Sequence, residues 1–284
     1  TIPSGEFCIR GNGRSYGDAS LAKQILDLTS LKEKLKIEDG ILYVSSGITV
    51  EQILNFCIPK GWFLPVIPGT RHVTVGGMIA ADVHGKNHEA NGTIGKWIQS
   101  IEIRLASGEI KICNENDDLF KLTVGGLGLT GVILSAKIRL IPLESTHFEQ
   151  KVSAFQSLNE LLNSLWDSSA PYKAGWFDFY RMSDFLLIEN EPVIANNSPD
   201  SFQLPKAKIK IPFKSISFVR PFVMTWYNKR YAKKIQHPDQ IIPADQVLFP
   251  LDRIGNWNYL YGKKGFYQLQ FSFDREACET HIDS

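Results

Sequence analysis

Three stretches in the first half of the chain predict strands, and in the second and third of them apolar and polar residues alternate, as they do in strands with one buried face. These stretches are residues 41–47 (ILYVSSG), 100–112 (SIEIRLASGEIKI) and 132–143 (VILSAKIRLIPL). The second stretch is interrupted at its middle by Ser107-Gly108, which is typical of a hairpin turn. The pattern therefore predicts a sheet that contains a hairpin and further strands.

Two other segments follow the three-to-four-residue spacing of an amphipathic helix, and each begins with a capping box. Residues 49–57 (TVEQILNFC) start with Thr-x-x-Gln, and residues 157–166 (SLNELLNSLW) start with Ser-x-x-Glu. Aromatic-rich stretches at 174–180 (AGWFDFY) and 265–273 (GFYQLQFSF) predict strands in the second half of the chain.

The length and the change of character near residues 142–149 predict two domains. A chain of 284 residues exceeds the usual size of a single domain. We place the boundary so that residues 1–143 and 144–284 form separate α+β domains, since both halves mix strands with separate helices. The final residues (DREACETHIDS) resemble the opening of a helix, so we expect the second domain to be incomplete at the C-terminus.

Composition and charge narrow the class of protein further. The net charge of +1 gives no reason to expect a polyanionic partner such as nucleic acid. The sequence contains no run of about 18 apolar residues that would predict a membrane span, and no stretch that resembles a signal peptide. The four cysteines lie far apart without a Cys-x-x-Cys pair, which favours reduced thiols in a cytoplasmic protein.

Glycine is concentrated in three clusters, at residues 11–17, 68–77 and 125–131, each beside a predicted strand. Glycine permits positive φ angles and lets backbone N–H groups approach a ligand without a Cβ atom in the way. Successive N–H groups in such turns form a concave anion site, and arginine adds positive charge. One cluster alone would indicate a tight turn, whereas three within about 130 residues favour a cradle for a diphosphate or a cofactor.

Two motifs in these clusters match other families only formally. Residues 126–131 fit Gly-x-Gly-x-x-Gly, but a helical pattern precedes them and a strand pattern follows, the reverse of the order in a Rossmann fold. Residues 13–17 fit the Gly-x-Ser-x-Gly of hydrolases, yet no long helix follows and no later acid and histidine complete a triad. We therefore interpret Ser15 as a hydroxyl donor to a phosphate.

A pair of histidines raises the question of a metal site. His84 and His88 lie four residues apart with Asp82 beside them, a spacing that presents metal ligands on a helix. Gly85 and Asn87 favour a loop instead, and no third cluster completes a site. We predict no metal and leave His88 as a surface loop residue.

Three segments together resemble a known family. Residues 10–18 (RGNGRSYGD), 68–95 (PGTRHVTVGGMIAADVHGKNHEANGTIG) and 123–133 (TVGGLGLTGVI) are similar to the flavin domain of the vanillyl-alcohol oxidase/p-cresol methylhydroxylase family. Residues 249–273 resemble the substrate domain of members that oxidise a polyprenylphosphoryl-ribose. The resemblance implies a two-subdomain FAD-binding domain of the p-cresol methylhydroxylase type followed by an α+β substrate, or cap, domain.

The resemblance also implies which residues bind FAD and which border the substrate. His84 would lie closest to the reacting face of the flavin, and Tyr16 and Gln270 would border the substrate pocket as further catalytic residues. The implied cofactor-binding residues are Ile9, Arg10, Gly11, Asn12, Gly13, Arg14, Ser15, Tyr16, Gly17, Asp18, Ala19, Gly69, Thr74, Val75, Gly76, Gly77, Ala81, Asp82, Val83, His84, Gly131 and Val132.

The family also implies an attachment mode and a reaction. Many members attach FAD through a histidine in a Gly-His-Ser string, whereas Arg14 occupies that position here, so we predict non-covalent FAD. The implied reaction oxidises the 2-hydroxyl of a polyprenylphosphoryl-β-D-ribose on the route to the arabinose epimer in cell-wall precursor synthesis, with a keto-reductase as partner. An aldonolactone or alditol oxidase of the same class, and a flavin-binding fragment without turnover, remain alternatives. The late tyrosine and lysine of the family lie beyond this sequence.

The segment 201–237 carries nine Lys or Arg residues and no Asp or Glu. Aromatic residues are interleaved with these cations, a combination that suits the anionic surface of a membrane. A solvated face above a core explains the pattern equally well, and single-stranded nucleic acid is the least favoured interpretation. We therefore expect residues 206–234 to contact the inner face of the cell membrane, in a protein that is otherwise cytoplasmic.

Overall fold

The computed structural model describes residues 6–15, 17–193, 204, 207, 209–215, 217–236 and 240–268. Contacts group the described residues into two compact units. One unit draws on Thr1–Phe148, Pro192–Pro205 and Ile242–Asp252, and the other on Glu149–Glu191, Lys206–Ile241 and Arg253–Ser284. Two segments from the second half of the chain thus belong with the first half. The division into domains at residue 143 stays a prediction.

A five-stranded antiparallel sheet forms the centre of the first unit. Its strands lie in the order β3 (Leu35–Glu38), β4 (Ile41–Ser45), β8 (Val132–Arg139), β6 (Ile98–Arg104) and β7 (Ile110–Asn114). The hairpin predicted for 100–112 is confirmed as β6 and β7, which pair antiparallel across the turn at Ser107-Gly108. The strands of this unit are β1 (Cys8–Arg10), β2 (Ile25–Asp27), β3 (Leu35–Glu38), β4 (Ile41–Ser45), β5 (Trp62–Phe63), β6 (Ile98–Arg104), β7 (Ile110–Asn114), β8 (Val132–Arg139) and β9 (Ile141–Pro142).

The first helix of the first unit begins at the predicted capping residue, Thr49. The capping box is confirmed, since Thr49 Oγ1 accepts from Gln52 N and the Gln52 side chain accepts from Thr49 N. Burial of the apolar face of this first helix, formed by Val50, Ile53, Leu54 and Cys57, supplies most of its stability. The helices are α1 (Val50–Cys57), α2 (Val75–Ala80), α3 (His88–Asn91) and α4 (Asp118–Thr123), with 3₁₀ turns at Ile58–Lys60 and Ile94–Trp97.

One face of the central sheet is polar and is organised by a buried hydroxyl. The alternation along residues 132–143 puts Ser135 on the face of β8 that also carries Lys137 and Arg139, yet Ser135 is buried. Its hydroxyl donates to Glu102 Oε2 at 2.5 Å, and Lys34 pairs with the same carboxylate. Hydrogen bonds from Lys34 and Ser135 lower the pKa of Glu102.

The second half of the chain adds a four-stranded sheet with the order β11-β12-β10-β14. Its elements are β10 (His147–Phe155), α5 (Leu158–Asp167), β11 (Tyr172–Asp178), β12 (Ser183–Pro192), β13 (Ile209–Lys210), α6 (Pro221–Ile235), β14 (Gln240–Pro243), α7 (Ala244–Leu248) and β15 (Ile254–Gly255), with 3₁₀ turns at Pro250–Arg253 and Trp257–Tyr261. Leu161 of α5 packs against Phe185 and Leu187 of β12. No helix of the described residues is long and apolar enough to cross a membrane.

Of the three predictions made for this half, the capping box needs correction, one strand is confirmed, and the other strand lies partly outside the described residues. Ser157 caps α5, yet the Glu160 carboxylate accepts from Gln156 N rather than from Ser157 N, so the box is displaced by one residue. The strand predicted for 174–180 is confirmed as β11. Residues 265–268 form no strand, and the rest of the strand predicted for 265–273 lies outside the described residues.

Asp178, at the end of β11, ties α6 to the sheet from a fully buried position. Its carboxylate accepts from Asn228 Nδ2 at 3.0 Å, from Arg181 Nε at 2.6 Å and from Tyr180 N at 3.0 Å. Burial raises the pKa of Asp178, but the bonds from Asn228, Arg181 and Tyr180 outweigh it, so the pKa lies below its usual value. The ionised form is therefore the one that the fold stabilises.

Asn228→Ala is expected to destabilise the second unit in a pH-dependent way. Because the folded-state pKa of Asp178 is depressed, its stabilisation is present above the unfolded pKa and is lost as pH falls through the folded pKa. Urea unfolding at about pH 7 and about pH 3 should therefore show a loss of stability that shrinks under acid. Asn163→Ala, on the exposed face of α5, serves as the control whose effect stays constant. An Asn228→Ala effect that is equal at both pH values would contradict this role.

Candidate functional site

The three glycine clusters converge on one cleft in the first unit. The cleft has a volume of about 200 Å³ and is open to solvent on one side. Arg14 is the one charged residue among its described lining, so the cleft favours an anionic ligand. The lining residues are Ile9, Gly11, Asn12, Gly13, Arg14, Ser15, Ala19, Ser20, Leu28, Ser46, Val73, Thr74, Gly76, Gly77, Ala80, Ala81, Val83, Leu127, Gly128, Gly131 and Ile133.

The first glycine cluster follows β1 and lies against the second. A Cβ atom at Gly11 would lie 2.2 Å from Thr74 Oγ1, so only glycine allows this approach. Gly13 has a φ of 59°, which reverses the loop. Backbone N–H groups from Gly11 to Ser15 donate no hydrogen bond to another residue in the described parts of the chain. These five donors are available to a ligand.

The second cluster is fixed to the end of β4 by backbone hydrogen bonds. Gly76 N donates to Ser46 O at 2.9 Å, and Val75 N donates to Ile48 O at 2.8 Å. Thr74 caps α2 by accepting from Gly77 N. The glycines of α2 therefore lie directly over the strand end, where a larger side chain at Gly76 would crowd the Cβ atom of Ser46 at 3.1 Å.

The third cluster continues the cleft along α2. Gly125 N donates to Ile79 O at 3.0 Å, and Leu127 N donates to Ala80 O at 2.8 Å. Leu127 adopts a φ of 52°, a left-handed conformation that is costly for a branched side chain. Its side chain is nevertheless exposed beside the cleft, so strain and apolar surface coincide at the ligand site.

A segment from the second half of the chain holds the loop before the second cluster. The Asp252 carboxylate, which is buried, accepts from Thr70 Oγ1 at 2.8 Å and from Arg71 N at 2.9 Å. Asn12 Nδ2 of the first cluster donates to His72 O at 2.9 Å. Burial lowers the pKa of the His72 imidazole. Asp252 thus positions the loop on which the first cluster rests.

The structure brings most of the predicted cofactor residues together in this cleft. Eight others do not line it, and Tyr16 and Gln270 lie outside the described residues. The predicted residues that line the cleft are Ile9, Gly11, Asn12, Gly13, Arg14, Ser15, Ala19, Thr74, Gly76, Gly77, Ala81, Val83 and Gly131. The eight that do not are Arg10, Gly17, Asp18, Gly69, Val75, Asp82, His84 and Val132.

His84 has an exposed side chain and its backbone pairs with Thr93 in an isolated antiparallel bridge. Its ring centroid lies 5.6 Å from that of His88 in an edge-on arrangement. His88 begins the short helix α3, so the loop that we predicted there is wrong at this residue. Within the described residues, no group of three His, Cys, Asp or Glu side chains is arranged to hold a metal.

Sequence reasoning missed eight residues of the cleft. Most are apolar or small residues that only the tertiary fold brings beside the glycine clusters. Ser46 could have been recognised from the sequence, since it directly precedes Gly47 at the end of a predicted strand. The missed residues are Ser20, Leu28, Ser46, Val73, Ala80, Leu127, Gly128 and Ile133.

The residues of the cleft fit an FAD molecule. Free N–H groups and the guanidinium of Arg14 suit the negative charge of a pyrophosphate. The buried Ser46 hydroxyl has no hydrogen-bond partner in the described chain, which leaves it available to a ligand. The apolar lining at Leu28, Leu127 and Ile133 suits flat ring systems.

Comparisons with known proteins agree with this chemistry. Residues 4–114 match the FAD binding domain family. The chain is 34% identical to a decaprenylphosphoryl-beta-D-ribose oxidase of Mycolicibacterium smegmatis, over 95% of this chain and 64% of that protein. It is 36% identical to an uncharacterized protein in the mprA 5′ region of Streptomyces coelicolor, over 43% of this chain and 33% of that protein. A D-arabinono-1,4-lactone oxidase of Yarrowia lipolytica is 29% identical over 60% of this chain and 34% of that protein. The chain thus spans less than two thirds of the length of each of these relatives.

Proposed function

We propose that this chain, as a member of the family of proteins with this FAD-binding domain, is an FAD-dependent oxidoreductase acting on a CH–OH group. The convergence of three glycine clusters on one cleft, with free N–H groups and Arg14, carries the proposal. We further propose the two-subdomain FAD-binding architecture of the p-cresol methylhydroxylase type, followed by a substrate domain.

The substrate that we propose is a polyprenylphosphoryl-β-D-ribose, oxidised at its 2-hydroxyl. The similarity to the mycobacterial decaprenylphosphoryl-ribose oxidase extends over 95% of the chain and so includes the second unit, which supports this choice. The ketone formed at that carbon is the substrate for a separate keto-reductase, the partner predicted for epimerisation to arabinose.

Different residues of the chain are proposed to hold the cofactor and to border the substrate. When bound, FAD would supply the redox chemistry as the acceptor of the hydride from the alcohol carbon. The N–H groups of residues 11–15 and the guanidinium of Arg14 would hold its phosphates. Ala81 and Val83 line the cleft toward His84, the residue that we propose to lie beside the reacting face. Tyr16 and Gln270 stay proposed as residues of the substrate pocket.

The reaction is tested by anaerobic mixing of the flavin-loaded protein with farnesylphosphoryl-β-D-ribose. Bleaching of the oxidised flavin band is the expected result. D-Arabinono-1,4-lactone is the matched alternative substrate, since the Yarrowia relative is named as an oxidase of this lactone. Bleaching by the lactone alone would replace the proposed substrate, and bleaching by neither would leave flavin binding without turnover.

The attachment of FAD is proposed to be non-covalent, because a guanidinium occupies the position of the linking histidine. Acid precipitation of the yellow protein should therefore release all flavin absorbance into the supernatant. Colour that remains in the pellet would demonstrate a covalent link and contradict the role given to Arg14. A protein that neither retains nor takes up FAD would overturn the central proposal.

We also propose that α6 contacts an anionic membrane surface. Phe222, Trp226, Lys229 and Lys233 are exposed and recur at helical spacing on one face, whereas Tyr231 packs near Trp176 with ring centroids 5.2 Å apart. Aromatic rings beside cations suit the headgroup region of a membrane.

Vesicle flotation tests this surface. Vesicles that contain phosphatidylglycerol should float the protein, and vesicles of phosphatidylcholine alone should not. The double variant Lys229→Gln/Lys233→Gln should lose this preference, whereas Lys111→Gln, on β7, should keep it. Equal flotation with both vesicle types would remove the membrane proposal.

A further inference from the structure

The hydroxyl of Ser46 is a buried polar group whose partner the chain does not supply. The side chain is 1% exposed, and Oγ has no hydrogen-bond partner in the described residues. The backbone of the same residue is fully used, since N donates to Leu134 O at 2.9 Å and O accepts from Gly76 N at 2.9 Å. The orphaned group is therefore confined to the side chain.

The preceding residue shows that an unpaired hydroxyl is not a general property of this strand end. Ser45 is 2% exposed, and its Oγ accepts from Lys34 N at 2.8 Å. The two serines are adjacent, equally buried and chemically identical, yet only one is satisfied by the protein. An unsatisfied buried hydroxyl is costly, so native structures nearly always provide a partner.

Ser46 is one of the residues that line the cleft. It lies against Gly76, the neighbour of Thr74, while Thr74 in turn contacts Gly11 at the start of the unpaired N–H groups. The hydroxyl thus belongs to the same end of the cleft as the anion-binding loop. A serine side chain has three staggered rotamers, so Oγ can turn from beneath the surface toward a ligand.

We propose that Ser46 donates a hydrogen bond to a phosphate oxygen of bound FAD and is a cofactor-binding residue of this cleft. The inference rests on the proposed function, because it requires FAD to occupy the cleft. It predicts that the Ser46 hydroxyl contributes little to the stability of the folded apoprotein and gains a hydrogen-bond partner only when the cofactor binds. Ser45 makes the opposite contribution, since its bond lies within the protein.

Matched variants, Ser46→Ala and Ser45→Ala, separate these two contributions. FAD affinity is measured by flavin fluorescence quenching on apoprotein freed of flavin, and apoprotein stability by thermal unfolding. Ser46→Ala is expected to weaken FAD binding about tenfold and to leave the melting temperature of the apoprotein unchanged or raised. Ser45→Ala is expected to lower that melting temperature and to leave FAD affinity within about twofold of the parent. Ser46→Cys, with a weak donor, should show the same loss of affinity as Ser46→Ala.

The phosphate assignment has its own readout, the ³¹P spectrum of bound FAD. Ser46→Ala should shift a pyrophosphate resonance, and Ser45→Ala should not. Unchanged FAD affinity in Ser46→Ala would overturn the inference while leaving FAD binding intact. Weaker binding without a ³¹P shift would overturn the phosphate assignment. A parent protein that binds no FAD would instead overturn the proposed function and this inference with it.

Discussion

Gly47→Ala is expected to lower the free energy of unfolding by about 3 kcal/mol, one of the two largest effects of a single substitution that we predict. A Cβ atom at Gly47 would lie 2.0 Å from Leu28 O and 2.6 Å from Leu31 O. Both atoms are backbone carbonyl oxygens, so no side-chain rotation relieves the overlap. Leu28 lines the cleft, and its displacement should also weaken FAD binding.

Urea unfolding of the apoprotein measures the loss of stability. Gly175→Ala is the matched control, because a Cβ atom there would meet Leu161 Cδ2 at 3.5 Å, an ordinary contact. The control should unfold close to the parent. A Gly47→Ala protein with the midpoint of the parent would show that the backbone at Leu28 yields freely, contrary to the packing described above.

Asp252→Ala is expected to cost about 3 kcal/mol of stability and to loosen the loop beside the first glycine cluster. The substitution removes the acceptor of both Thr70 Oγ1 and Arg71 N and leaves two donors without it in a buried position. Because Asn12 is bonded to the same loop through His72 O, FAD affinity should fall as well.

Asp252→Asn provides the graded control for this prediction. The amide retains one acceptor oxygen, so about half of the destabilisation should return. Thermal unfolding of the apoprotein and FAD titration of each variant are the measurements. If both variants match the parent, the carboxylate does not hold the loop. If both are destabilised equally, the single amide oxygen of asparagine does not replace the carboxylate.

Local features of the fold could be predicted from the sequence because their partners are close in the chain. Thr49 and Gln52 are three residues apart, and the hairpin around Ser107-Gly108 is closed by its own turn. The glycine clusters were recognisable for a similar reason, since a run of residues without side chains is itself the signal. Their convergence on one cleft was expected from the number and closeness of the clusters, and the resemblance to a family added which residues line it.

The features that escaped prediction depend on distant partners. Ser135 looked like an outward residue of an alternating strand, but it is buried because Glu102 of a neighbouring strand accepts from its hydroxyl. Nothing near Ser46 in sequence shows that its hydroxyl is left unpaired, because that property depends on everything packed around it. Leu127 is held in a left-handed conformation by its hydrogen bond to Ala80 O, which no propensity indicates.

The contact between Asp252 and Thr70 also has a consequence for how the protein is made. The acceptor of the Thr70 hydroxyl lies 182 residues later in the chain. At ordinary rates of translation, the ribosome needs roughly 10 to 40 s to synthesise that interval. Until Asp252 is synthesised, Thr70 and Arg71 at the start of the second glycine cluster therefore lack this acceptor, and fragments that end before Asp252 should be poor starting points for isolating the cleft.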